Sequence, residues 1–242
     1  MIEWTRQCAA VIPCFNEAAQ IARVVTGVRR HLPRVFVVDD GSTDATAGAA
    51  QSAGATVIRR LANGGKGAAL RTGWRTARES GFDWVLMLDG DGQHAADDIP
   101  CLLDCAAATD ARLVVGNRMT HRRAMPWLRR KVNRWMSDHI SKLTGMSMPD
   151  TQCGFRLAHL ATLLQMGMKA RHFEIESEML VAFAAARQPV RFVPVQAIYK
   201  AGTSKIRPMT DAFRWFRWRA ARRQPGRIVL AGSATANPIL SH

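Results

Sequence analysis

The sequence contains no run of 18 or more apolar residues, which excludes an encoded transmembrane helix. Met1 to Cys8 lacks the basic-then-apolar pattern of a secretory signal. The five cysteines are an odd count without a Cys-x-x-Cys pair. That excludes a small disulfide scaffold and points to reduced thiols packed as small apolar residues in a cytosolic protein. Internal repeats and low-complexity segments are also missing. Hydrophobic residues make up 48% and charged residues 22% of the 242, which excludes a disordered or collagen-like chain. The length fits one domain, or one domain with an appendage.

Acidic residues are scarce in one half only. Residues 111–242 hold 6 acids against 23 Lys and Arg, a net +17, whereas residues 1–110 carry a net −2. A near-neutral half followed by a strongly basic one predicts that the second half faces an anionic partner. Nucleic acid, an anionic membrane and a phosphorylated substrate all fit that charge.

Short apolar runs alternate with amphipathic ones through the first half. Strands are predicted over 9–12, 35–38, 55–59, 84–88 and 113–116. Helices are predicted over 18–32, 43–53, from Gly64 to about 80, and over 96–107. Fully apolar strands alternating with helices imply a parallel sheet covered on both faces. The second half is less regular. It predicts helices over 127–143, 172–187 and 211–223, a loop from Asp150 entering a strand, and a strand over 190–195 that 196–199 extends. After Pro225 a loose tail is expected.

In parallel sheets ligands bind at the carboxyl ends of the strands, and acids gather at those ends here. Glu17 follows the first strand, Asp39 and Asp40 the second, Asp89 and Asp91 the fourth. Asp89-Gly90-Asp91-Gly92-Gln93-His94 is the most informative string. Two carboxylates one residue apart after a buried strand can hold a hard divalent cation that bridges a diphosphate. Gly90 between them permits close approach of a ligand or of backbone. In Asp40-Gly41-Ser42-Thr43, Asp40 suits a base edge or a ribose hydroxyl, and Ser42 or Thr43 can cap the next helix. Asn63-Gly64-Gly65-Lys66-Gly67 reads either as a plain helix entry or as an anion-binding turn. It lacks Walker A spacing, which argues against a kinase or ATPase.

These strings, together with Val11-Ile12-Pro13-Cys14-Phe15-Asn16-Glu17, resemble in order and spacing the family 2 glycosyltransferases of GT-A fold. Gly116-Asn117-Arg118 and Asp150-Thr151-Gln152-Cys153-Gly154-Phe155-Arg156 resemble the branch that includes dolichol-phosphate mannosyltransferase and bacterial polyprenyl-phosphate glycosyltransferases. The resemblance covers about residues 8–220. It implies an α/β GT-A fold with a mostly parallel central sheet flanked by helices, in one domain over 1–224. Within it, 1–116 would serve nucleotide-sugar and metal, and 117–224 the acceptor.

It further implies inverting transfer of a sugar from a UDP- or GDP-sugar with Mg²⁺ or Mn²⁺. Carried over, Pro13, Phe15 and Glu17 would line the base and ribose, and Asp40 would contact the base. Asp89, with Gly90 beside it, would approach ribose or metal, and Asp91 and Gln93 would ligate the metal. Lys66 and Lys205 would face the donor's phosphates. Arg118 and Arg129 would meet an acceptor phosphate.

A phosphate acceptor also suits the residues on their own terms. A phosphate monoester is ionised near neutral pH and attacks without a general base, which a hydroxyl acceptor requires. Asp150, Glu174 and Glu176 are the acids near plausible site loops in the second half, and Asp150 is expected to play a supporting structural role. Asp211 to Arg223 mixes aromatics with five arginines, as a helix at an anionic membrane surface does. Core packing and nucleic-acid stacking are the alternatives for it. The acceptor reading predicts a lipid phosphate, a peripheral location on the cytoplasmic face of a membrane, and no nucleic-acid partner. A hydroxyl acceptor, a nucleic-acid-binding protein and a nucleotidyltransferase are the competing readings.

Overall fold

The computed structural model describes residues 2–120 and 125–198, together with Trp215, Arg217 and Trp218. A short helix α1 (Trp4–Gln7) precedes strand β1 (Cys8–Cys14). There follow α2 (Ala18–Arg29), β2 (Val35–Asp39), α3 (Thr46–Ser52), β3 (Thr56–Arg59), α4 (Lys66–Glu79) and β4 (Trp84–Met87). A 3-10 turn at Ala96–Asp98 leads into α5 (Ile99–Ala108), then β5 (Leu113–Asn117) and α6 (Trp127–Thr144). There follow β6 (Arg156–His159), α7 (Leu160–Gln165), α8 (Ile175–Ala185) and β7 (Val190–Pro194).

The strands form one seven-stranded sheet in the order β3-β2-β1-β4-β6-β5-β7. All pairs are parallel except those of β6, which runs antiparallel to both β4 and β5. The continuous apolar runs of β1, β2, β4 and β5 are buried on both faces, as such runs require. Helix α2 contributes Ile21, Val24, Val25 and Val28, the spacing of one helical face. Helix α4 lies close to the sheet through Gly73, where an added Cβ would stand 2.3 Å from Val11 Cγ1. Beside it the buried Trp74 indole donates to Met87 Sδ at 3.2 Å.

Several boundaries differ from the sequence expectation for physical reasons. Helix α3 begins at Thr46 rather than 43, because Ser42 and Thr43 are drawn away. Ser42 Oγ accepts from Asn16 N–H at 2.9 Å, and Thr43 N–H donates to Asn16 Oδ1 at 2.8 Å. Neither caps the helix, whose N-cap is Ala45. Helix α8 starts at Ile175, not 172. Helix α6 buries Asn133, Ser137 and Ile140, while Trp127, Leu128 and Val132 stand exposed. Its core-facing stripe is therefore partly polar. Cys8, Cys14 and Cys153 are buried as small apolar residues, but Cys101 is exposed. Among the described residues no helix is long and apolar enough to cross a membrane. Trp215 is buried against Trp135, ring centroids 5.3 Å apart, and its indole donates to Ser177 Oγ. The rest of 211–223, apart from Arg217 and Trp218, and all of 225–242 lie outside the described residues.

Candidate active site

The strand order reverses between β1 and β4, and a crevice opens at the carboxyl ends of strands at such a switch point. Three loops meet there. The loop after β1 is tied to the loop after β2. Besides the Asn16 bonds, Glu17 N–H donates to Thr46 Oγ1 at 2.7 Å and Ala18 N–H to Asp44 Oδ2 at 3.2 Å. Asn16 takes a left-handed φ of 54°, which asparagine tolerates. The loop after β4 abuts the first: a Cβ on Gly90 would stand 2.5 Å from Cys14 Sγ and 3.5 Å from Glu17 Cγ. The protein's own packing leaves no room for a side chain there.

Asp40 is buried, and its carboxylate anchors the glycine turn before α4. It accepts from Gly64 N–H at 3.1 Å, from Gly65 N–H at 2.7 Å and from Arg60 Nη1 at 2.5 Å. The next donors, Gly67 and Ala68 N–H, go to the Arg171 carbonyl at 2.8 and 3.2 Å. The turn thus binds an anion, but that anion is a side chain of the same chain. Its Lys66 side chain turns instead to Asp89 and Glu176.

Lys66 Nζ bridges Asp89 Oδ1 and Glu176 Oε1, the latter at 2.5 Å. Burial would lower its pKa, yet the two carboxylates hold it well above the usual lysine value. Burial likewise works to raise the Asp89 carboxyl, and the Lys66 charge with His94, 3.5 Å away, drives it far below the carboxylate range. Gly154 closes over this group: a Cβ there would lie 2.7 Å from Asp89 Oδ2 and 2.8 Å from Lys66 Nζ. Among the described residues His94 Nδ1 and Glu176 Oε2 are buried without a hydrogen-bond partner.

Asp91 behaves differently. Its carboxylate accepts from Gln93 N–H at 3.0 Å and from Gln93 Nε2 at 2.7 Å. Burial, and then the Asp89 charge, push its pKa up. Raised pKa in an acid beside another acid marks a place where a cation would be welcome. Gln93 Oε1 in turn receives Arg129 Nη1 at 3.4 Å. Among the described residues no three His, Cys, Asp or Glu side chains converge as a metal cage. The donor set fits Mg²⁺ or Mn²⁺ held through Asp91, with Gln93 beside it, since such ions take one or two carboxylates and complete their shell with water and phosphate oxygens. Asp89, engaged by Lys66, would have to exchange that partner to join it.

Arg118 sits just past the end of β5. Asp150, in the loop before β6 and fully buried, grips it through two parallel bonds, Nε to Oδ2 and Nη2 to Oδ1, both 2.9 Å. Arg118 N–H and Asn133 Nδ2 donate to the same carboxylate at 3.0 and 2.9 Å. Burial opposes ionisation of Asp150, but the Arg118 charge and these bonds hold its carboxyl below the usual range. Arg156, also buried, pins the loop from within by donating to the carbonyls of Cys153, Glu176 and Thr151.

The structure therefore gathers Glu17, Lys66, Asp89, Gly90, Asp91, Gln93 and Arg129 around one crevice rim, with Arg118 held on the β5 side. Pro13, the next-to-last residue of β1, is half-buried, and Phe15 just past the strand is 39% exposed. Lys205 lies outside the described residues.

A family model described as glycosyl transferase family 2 matches residues 9–180. The chain belongs to that family. This glycosyltransferase is 28% identical to an undecaprenyl-phosphate mannosyltransferase of Micrococcus luteus, over 81% of this chain and 86% of the relative. It is 28% identical to a UDP-N-acetylglucosamine–dolichyl-phosphate N-acetylglucosaminyltransferase of Methanococcus voltae, over 78% and 84%. Its identity to glycosyltransferase AglJ of Haloferax volcanii is 34%, over 75% of this chain and 60% of that one. Among solved structures, glucosyl-3-phosphoglycerate synthase of Mycobacterium tuberculosis, in complex with Mn²⁺, UDP and phosphoglyceric acid, superposes with a TM-score of 0.68. The identity is 20%, over 88% of this chain and 75% of that one. The glycosyltransferase has the GT-A fold, with a mostly parallel seven-stranded sheet flanked by helices.

Three contributors to the site carry little sequence signal. The sequence marks Glu176 only as one of three acids near plausible site loops, and the fold alone brings it to Lys66 across 110 positions. Gly154 is a single residue in a loop, and Arg156 is the first residue of β6. The basic charge of Arg156 gives no hint of its burial, although it sits in the Gly-Phe-Arg string that follows Asp150.

Proposed function

We propose that this glycosyltransferase moves a sugar from a UDP- or GDP-sugar to the phosphate of a polyprenyl phosphate or related lipid-linked acceptor, with inversion at the anomeric carbon. One observation carries the choice of acceptor: Asp150, the acid beside Arg118, is wholly spent on holding that arginine. With its pKa depressed and its lone pairs filled, it is unsuited to take a proton from a hydroxyl. An already ionised phosphate needs no base and is instead served by Arg118 and Arg129. The names of the relatives from Micrococcus and Methanococcus, both polyprenyl-phosphate enzymes, agree with this reading.

Under it, Pro13, Phe15, Glu17 and the loop anchored by Asp40 line the nucleoside. Asp91 and Gln93 hold the cation, which when bound neutralises charge gathering on the leaving diphosphate. Lys66, poised between Asp89 and Glu176, offers its ammonium to the same phosphates. Arg118 and Arg129 orient the acceptor phosphate so that its oxygen faces the anomeric carbon. The new carbon–oxygen bond forms as the bond to the nucleoside diphosphate breaks, and the electron pair leaves with the diphosphate. Work at the cytoplasmic face of a membrane follows from the lipid acceptor and from the basic acceptor half.

The test is transfer of radiolabelled sugar from a panel of UDP- and GDP-sugars to polyprenyl phosphate or to the matching polyprenol, with Mg²⁺, Mn²⁺ or EDTA. The expected result is a lipid product from the phosphate alone, lost in EDTA. Equal transfer to polyprenol, or full activity in EDTA, would overturn the acceptor or the metal assignment respectively.

A further inference from the structure

On the outward face of α4, Arg71, Thr72 and Arg75 line a cavity of about 260 Å³ together with Arg60, Gly64 and Arg171. Ala68, Arg71, Thr72 and Arg75 are spaced as one helical stripe, and Arg60 and Arg171 arrive from the loops after β3 and before α8. Four arginines thus line one small space, and no acidic residue lines it. Arg60 is partly neutralised by Asp40 behind it, and Arg71 donates to the Ala170 carbonyl. Arg75 and Arg171 form no ion pair among the described residues. Burial lowers the pKa of Arg71; Glu178 works against this, and the like charges of Arg171, Arg75 and Arg60 add to it.

A cluster of this kind repels itself and is relieved by a multiply charged anion. Guanidinium forks match phosphate oxygens two at a time, and the Thr72 hydroxyl adds a neutral donor. The cavity is smaller than the roughly 300–1,000 Å³ of drug-sized pockets, so it suits a headgroup or a small phosphate compound rather than a whole nucleotide-sugar. Lys66, Asp89 and Asp91 do not line it, although Arg60 and Gly64, both bonded to Asp40, place it beside the donor loops. Leu61, next to Arg60, is fully exposed, as a residue meeting the apolar part of a lipid would be.

We propose that this arginine cavity is a second anion site, binding a phosphate-bearing group distinct from the sugar donor. The headgroup of an anionic lipid and a free phosphate compound share that chemistry. Through the bond between Arg60 and Asp40, its occupant would sit one contact from the donor loops.

The full chain would be titrated calorimetrically with inorganic pyrophosphate in EDTA, and floated with phosphatidylcholine vesicles with and without phosphatidic acid, both at physiological salt. The comparison is wild type against Arg75→Glu/Arg171→Glu, with Asp91→Ala as a donor-side control. Circular dichroism checks folding, and the single Arg75→Gln replaces the double variant if that fails to fold. Binding that falls about tenfold or more in the arginine variant but not in Asp91→Ala supports the site, a loss equal to about 1.4 kcal/mol. Pyrophosphate binding identifies a soluble phosphate as a source; binding only to phosphatidic acid vesicles identifies a lipid. Equal binding by wild type and the arginine variant, or no binding of either probe, overturns it.

Discussion

Replacing Asp150 by asparagine keeps the side chain's shape and removes one charge. In the native protein its two oxygens accept from Arg118 Nε, Nη2 and N–H, from Asn133 Nδ2 and, at 3.3 Å, from Gln152 N–H. An asparagine has one oxygen, so its amide nitrogen must face at least two of those donors. Arg118, whose side chain is only 11% exposed, would lose its counter-charge. Breaking one side of a buried pair costs about 3–5 kcal/mol. With a urea m-value of about 3 kcal/mol/M for a chain of this size, the unfolding midpoint should drop by about 1–1.7 M. The pH dependence gives a second signature. The Asp150 carboxyl is depressed in the folded state, so its contribution is complete above its unfolded pKa of about 3.9 and is lost as pH falls through the folded value. The gap between wild type and Asp150→Asn should be constant from neutral pH down to about 5 and shrink below about 4. Coincident urea curves at pH 7, or a gap that persists undiminished in acid, would refute the account of how Arg118 is held.

Asp91→Ala should abolish transfer, read as product formation, while leaving the thermal midpoint near wild type, because among the described residues the side chain hydrogen-bonds within its own loop. Gly154→Ala should depress transfer at least about tenfold, since the new methyl forces Lys66 and Asp89 apart; a donor-binding titration should weaken in parallel. Gly73→Ala should destabilise by about 1–3 kcal/mol in urea through overpacking against Val11 and Val38, with the residual folded enzyme still active.

Much of the sheet was legible because β1, β2, β4 and β5 are continuous apolar runs between turn residues. β6 was legible only as a strand of unknown place. Arg156-Leu157-Ala158-His159 has neither a clean alternation nor a long apolar run, and nothing local fixes its insertion between β4 and β5. α7 follows it without a linker, and so went unread. The acids at the strand ends were legible as a group, since strand ends and charge can both be read locally. Their partners were not. The carboxylate of Asp40 is filled by Gly64, Gly65 and Arg60, and Lys66 is shared by acids 23 and 110 positions away. The Asn16 bonds that pulled Ser42 and Thr43 out of α3 depend equally on two loops meeting in space.

The reversed strand β6 has a bearing on how the protein is made. β4 and β5 do not pair with each other; each finds its neighbour in β6, and β5 otherwise pairs only with β7. A nascent chain emerging from the ribosome can assemble β3-β2-β1-β4 early, but its β4 edge stays open and β5 has no partner until residues past 159 appear. An open apolar edge of that kind invites pairing with other chains during synthesis. Donor loops are thus built first and the Arg118 side last. A translation pause or truncation between 117 and 156 would release a half-sheet prone to aggregate rather than a working donor-binding fragment.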